Sequence, residues 1–153
     1  MTSRDKIWGQ DASAGITLGL VTTIIPVFNR ADMLIQAVQS VVDQDYRPIE
    51  IIIIDDGSTD NTLETARQLA ADRPDEIYVL EQANAGPGVA RQKGLDMAKG
   101  EFIQYLDSDD LLLKHKFTRQ VEMLRRHPDC QVCYSVSHDH VLMDCKDPSK
   151  SPT

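Results

Sequence analysis

Between Ile49 and Ile54 the chain runs five isoleucines with a single interruption at Glu50. A strand with one wet face alternates apolar and polar side chains, so a run without alternation belongs to a strand covered on both sides. That requirement dictates a layered α/β architecture, a parallel sheet with amphipathic helices to cover two faces. The rest of the chain has the parts. Four further short segments rich in apolar and β-branched residues read as strands: VTTIIPV from Val21, IYVLEQ from Ile77, EFIQYLD from Glu101 and CQVCYS from Cys130. Four amphipathic stretches separate the five strands: Asp32 to Val42, about Asn61 to Ala71, about Gly88 to Lys99, and Leu111 to Arg126. In the last of these Phe117, Val121 and Leu124 recur at helical spacing.

At 153 residues and 41% hydrophobic content the chain has the makings of one domain with a real core. Its 24 acidic against 16 basic residues leave a net charge of −8, which argues against nucleic acid as a partner, because gripping a phosphate backbone needs a dense basic face. A phosphate can still be held locally, by a helix N-terminus, an arginine or a bridging metal. The apolar stretch Ile16 to Phe28 is broken by Thr17, Gly19, Thr22, Thr23 and Pro26 and is too short to span a membrane, so no membrane association is evident. MTSRDKIWGQDASAG lacks the apolar centre of a signal peptide, which makes the cytoplasm the expected compartment. Three cysteines give no disulfide framework. Cys130 and Cys133 lie three apart in an expected strand and would face opposite ways, which argues against a redox or zinc pair. His138 and His140 with Cys145 are a further metal candidate, weaker than the reading as ordinary histidines.

In open parallel sheets the ligand sits beyond the carboxyl ends of the strands, where the strand order reverses. Here those ends read PVFNR, DDGSTDNT, EQANAGPGVARQKG and DSDD. In DDGSTDNT, Gly57 suits a positive φ and Ser58, Thr59 or Asn61 can cap the next helix, Asn61 and Glu64 having capping-box spacing. Turn and cap leave unexplained the two aspartates that end an oily strand. A carboxylate there suits a ribose hydroxyl or a base N–H, a role that fits Asp55 better than Asp56. In NAGPGVARQKG the glycines and Pro87 open a helix whose free N–H groups form an anion site. Arg91, about one turn in, could reach a phosphate or stack on a base, with a plain surface arginine as the competing reading. The three carboxylates of DSDD, Asp107, Asp109 and Asp110 around Ser108, repel one another unless something positive sits among them. Asp107 and Asp109 are two apart and point to one side of an extended segment, an arrangement that suits Mg²⁺ or Mn²⁺. Asp110, directly before LLLKHKF, reads as the N-cap of the fourth helix.

With these residues in view the chain resembles the N-terminal half of the family 2 glycosyltransferases of the GT-A fold. VTTIIPVFNRADML, IEIIIIDDGSTDNT and NAGPGVARQKGLDMAKGEFIQYLDSDD carry the resemblance, which covers roughly residues 20–135. It implies an α/β, Rossmann-like, mostly parallel sheet flanked by helices on both faces. The expected organisation is an N-terminal extension over residues 1–19, a nucleotide-sugar-binding domain over 20–136, and a polar segment over 137–153 that begins a missing acceptor-binding half. The implied activity is transfer of a sugar from a nucleotide diphosphate, expected to be UDP, to an acceptor hydroxyl with inversion. The implied nucleotide-binding residues are Pro26, Val27, Phe28, Asn29, Arg30, Asp55, Asp56, Gly57, Arg91, Asp107 and Ser108; Asp109 and Asp107 are the implied ligands of Mn²⁺ or Mg²⁺.

The chain also departs from the family pattern. Neither an E-D pair, where the family often keeps its general base, nor a Q-x-x-R-W helix follows Asp110, so no general base is assigned. Two functions of different class follow: a glycosyltransferase whose acceptor half is elsewhere, and a non-catalytic module that binds nucleotide sugar and metal. A metal-dependent phosphoryl-transfer domain ranks lower, since a phosphatase of that kind wants its nucleophilic aspartate where this chain has PVFN.

Overall fold

The computed structural model describes residues 15–134. Its elements in chain order are β1 (Thr17–Val27), α1 (Ala31–Val42), β2 (Ile49–Asp55), α2 (Thr62–Asp72), β3 (Ile77–Glu81), α3 (Pro87–Met97), β4 (Gly100–Tyr105) and α4 (Lys116–Arg126). The isoleucine run is β2, and all seven of its residues are buried. The four strands form one sheet in the order β3-β2-β1-β4, with every pairing parallel.

Strand periodicity divides the isoleucines between two cores. Ile51 and Ile53, with Ile25, pack against Leu34, Ala37, Val38 and Val41 of α1, Ala66 of α2, and Phe117 and Val121 of α4. Ile52 and Ile54, with Ile24, meet Ala90 of α3 on the opposite face, with Leu95 partly buried beside them. Gly94 lets α3 approach closely: a Cβ there would lie 2.5 Å from Ile24 Cγ2 and 2.8 Å from Ile54 Cδ1. Helices on both faces of a parallel sheet are what the isoleucine run demanded.

Three expectations need correction. CQVCYS forms no strand over residues 130–134; Cys130 closes a turn by donating its N–H to the carbonyl of His127, and Val132 and Tyr134 are exposed. The fourth helix begins at Lys116 rather than Leu111, so Asp110 is not its N-cap. His115 occupies that place with a left-handed φ of 65°, which interrupts a right-handed helix, and Asp110 instead donates its N–H to the carbonyl of Asp107. Finally, Asn61 stands at the N-cap of α2 but its side chain makes no cap hydrogen bond; Asp60 accepts from the Thr62 N–H at 2.9 Å. His138, His140 and Cys145 lie outside the described residues. Among the described residues no helix is long and apolar enough to cross a membrane.

Candidate functional site

Because all strands are parallel, their carboxyl ends share one edge of the sheet. The chain winds outward from β1 through β2 to β3 and then returns to place β4 on the other side of β1, so the strand order reverses at β1. Four loops meet at that edge, and their side chains stitch them together.

The loops after β1 and β2 are joined through Asn29, whose φ is 51°. Its N–H donates to Ser58 Oγ at 3.0 Å, and its side-chain oxygen accepts from the Thr59 N–H at 2.8 Å. Next to it, the Arg30 N–H donates to Thr62 Oγ1 at 2.9 Å. Pro26 and Val27 sit inside β1 and are buried, whereas Phe28 is exposed. Gly57 has a φ of 76°, and a Cβ there would come within 2.8 Å of the Asn84 backbone nitrogen, so only glycine fits this crossing of two loops.

Asp55 and Asp56 divide the work. Asp56 is 4% exposed, and its oxygens accept from Ala85 N–H at 2.8 Å, Gly86 N–H at 2.9 Å and Gln82 Nε2 at 2.8 Å. Burial pushes its carboxyl up, but the bonds from Ala85, Gln82 and Gly86 together outweigh it and hold the group below the usual carboxylate range. Asp56 therefore ties the loop after β3 to the end of β2. Asp55 is 1% exposed; one oxygen accepts from the Ser58 N–H at 3.0 Å, while the other, Oδ2, is buried and has no partner among the described residues. A buried carboxylate oxygen left unpaired is costly, and a ligand N–H or O–H would satisfy it.

The loop after β4 carries Asp107, Ser108 and Asp109. Ser108 is buried, while the carboxylates of Asp107 and Asp109 remain about half exposed. Each meets an arginine from a different element: Arg91 of α3 reaches Asp107 at 2.5 Å, and Arg30, just before α1, pairs with Asp109. The positive charge demanded by this acidic loop is thus supplied in part by two guanidinium groups. Two exposed oxygen donors on one loop suit a hard divalent cation that completes its coordination with phosphate oxygens and water. Among the described residues no group of three or more His, Cys, Asp or Glu side chains is placed to hold an ion by itself.

The nucleotide- and metal-binding residues that the resemblance implies all lie at or beside this edge of the sheet. The connecting residues Ser58, Thr59, Thr62 and Gln82 were not expected there. Ser58 and Thr59 were read as helix caps because hydroxyls after a strand suit both tasks, and nothing local to Gln82 signals its bond to a residue 26 positions away.

A doubly wound parallel sheet with an acidic, arginine-lined cluster at its switch point defines the class, an open α/β domain with its candidate site at the carboxyl edge of the sheet. The model of the family described as Glycosyl transferase family 2 matches residues 22–141, and the chain belongs to that family. It is 42% identical over 105 residues to an uncharacterized glycosyltransferase of Nostoc sp., covering 69% of this chain and 33% of that protein. Among solved structures, S. aureus TarS 1-349 in complex with UDP-GlcNAc superimposes with a TM-score of 0.65 at 28% identity, covering 71% of this chain and 32% of that one. The mannosyltransferase PcManGT from Pyrobaculum calidifontis, in complex with GDP-Man and Mn²⁺, gives 0.63 at 28% identity, covering 68% and 32%. The chain thus spans about a third of the length of these relatives. The GT-A architecture expected from the motifs is the one observed.

Proposed function

We propose that this chain is the donor-binding part of a glycosyltransferase, taking a nucleotide diphospho-sugar, with UDP as the nucleotide, and transferring the sugar to an acceptor hydroxyl with inversion. The observation that carries the reading is the buried Oδ2 of Asp55, which has no partner among the described residues. The N–H of a base, a group that uracil supplies, would satisfy it. Asn29, Ser58 and Thr59 shape the wall beside it, and Asp56 with Gly57 sets the course of the loop that leads to α3. Arg91 and Arg30, each paired with a carboxylate, can turn to the diphosphate once it arrives. Asp109, with Asp107, would hold Mn²⁺ or Mg²⁺. When bound, that ion neutralises the leaving diphosphate. TarS and PcManGT, solved with UDP-GlcNAc and with GDP-Man and Mn²⁺, support a donor of this class.

In the reaction the bond from the anomeric carbon to the diphosphate oxygen breaks while the acceptor oxygen bonds to the opposite face. The acceptor proton passes to a carboxylate base. Of the described carboxylates after Asp110, Glu122 pairs with Arg126 on α4 and Asp129 lies in the turn beyond it. The absence of an assigned base among these described carboxylates favours, as a second reading, a module that binds donor and metal without transfer.

Titration calorimetry with UDP tests the donor site. Affinity should be higher with Mn²⁺ than with chelator, and Asp109→Asn should remove that difference while leaving the metal-free affinity in place. Equal affinities for the unaltered chain in the two buffers would refute the bridging ion; no UDP binding in either would refute the donor site.

A further inference from the structure

The loop from Leu106 to His115, which carries both candidate metal carboxylates, has little apolar burial to hold it. Leu106 is buried and Leu112 partly so, but Leu111 and Leu113 face solvent. Besides Arg91 of α3, which reaches Asp107, its polar contacts come from α1 and the residues that flank that helix. Gln44, two residues beyond that helix and only 3% exposed, uses both ends of its amide. Its Nε2 donates to the carbonyls of Leu113 at 3.0 Å and Ser40 at 3.1 Å, and its Oε1 accepts from the Phe117 N–H at 3.2 Å. Ser40, in the last turn of α1, accepts from the Leu112 N–H at 3.0 Å through Oγ. Asp45 adds a pairing with His115 and accepts from Thr118 Oγ1 at 2.8 Å. At the other end of the same helix, Arg30 pairs with Asp109.

The loop therefore lies along α1, gripped at Asp109 by the residue before the helix and at its far end by residues at and just beyond the helix end. These contacts explain why α4 starts late: Ser40 of α1 and Gln44 just beyond it already hold the backbone groups of Leu112 and Leu113. A cation shared between two carboxylates and a diphosphate tolerates little misplacement, so the residues that hold such a loop govern the affinity of the site. Resting on the donor-site reading, we propose that Gln44 and Ser40 are positioning residues for the Asp107–Asp109 loop, setting the geometry in which those carboxylates bind a divalent cation together with a nucleoside diphosphate.

The test is the affinity of the 153-residue chain for UDP in Mn²⁺ divided by its affinity in chelator, measured for the unaltered chain, Gln44→Ala and Ser40→Ala, with thermal unfolding of each recorded. Gln44→Ala should reduce that ratio by roughly 10- to 100-fold, the usual effect of losing a group that orients metal ligands. Ser40→Ala should reduce it less. Affinity in chelator should not change, because Asp55 and the loops after β1 and β2 remain in place. A merely structural role would lower both affinities together or neither, leaving the ratio intact, and that result overturns the proposal. If Gln44→Ala fails to unfold cooperatively, Ser40→Ala, which removes a single acceptor at a half-buried position, decides alone. A normal metal-linked gain in the unaltered chain that persists in the variants overturns the positioning role only. Absence of that gain in the unaltered chain overturns the bridging-ion reading and this proposal with it.

Discussion

Asp55 and Asp56 are adjacent, chemically identical and almost equally buried, yet their surroundings assign them different tasks. Asp56 is surrounded by protein donors, whereas Asp55 keeps one oxygen without a partner among the described residues. The depressed carboxyl of Asp56 makes a prediction about pH. A group whose folded pKa lies below its unfolded value adds stability above the unfolded value and loses it as pH falls towards the folded one. Asp56→Ala should therefore cost about 1–3 kcal/mol at neutral pH, where it leaves Ala85, Gly86 and Gln82 unpaired. The gap to the unaltered chain should narrow as pH drops below about 3.9, the ordinary value for aspartate. Urea midpoints between pH 7 and pH 3 measure this, and a gap that stays constant across the range would show that the charge on Asp56 is not what ties the loop. The same residues mark how far local reading reaches. Two carboxylates at a strand end mark a candidate site in the sequence, but which of them the protein itself satisfies depends on donors about 30 residues away in the next loop.

At the scale of elements, α3 shows how packing places chemistry. Its missing side chain at Gly94 lets the helix sit against Ile24 and Ile54, and Arg91, one turn earlier, thereby comes within reach of Asp107. Gly94→Val should destabilise the chain by about 1–3 kcal/mol through overpacking, despite the better helix propensity of valine over glycine. By lifting α3 it should also weaken UDP binding. Chemical denaturation gives the first quantity and calorimetry the second; an unchanged urea midpoint would mean that α3 yields without cost and does not anchor Arg91. The isoleucine run and the helical periods made the four helices and the first four strands legible. The start of α4 was not legible, because DLLLKHKF has a good cap followed by good helix formers. What overrode that preference is the set of contacts from Ser40, Gln44 and Asp45, which no local pattern reveals. The expected strand at CQVCYS failed for a related reason: apolar alternation suits a strand only where a neighbour pairs with it, and among the described residues 130–134 no neighbour does.

For the molecule as a whole, the chain spans about a third of the relatives it matches, and β4 ends the sheet on one side among the described residues. We expect the isolated chain to bind donor but to transfer sugar slowly, below about one turnover per second. General base catalysis alone is worth roughly 10² to 10⁴ in rate, and no described carboxylate after Asp110 is assigned to it. A steady-state assay of released nucleotide and glycosylated product over a panel of acceptors checks this, and faster turnover would reveal an acceptor site within these residues. The order of elements, the two-sided burial of β2 and the four chemical strand ends were determined by the sequence itself, because hydrophobic periodicity and glycine or carboxylate placement act over a few neighbouring residues. Only the tertiary structure decided which carboxylates are satisfied by the protein, which arginine meets which aspartate, and how the Asp107–Asp109 loop is held. Those outcomes rest on contacts between residues 16 to 79 positions apart, whose geometry exists only once the sheet and both helical layers have packed.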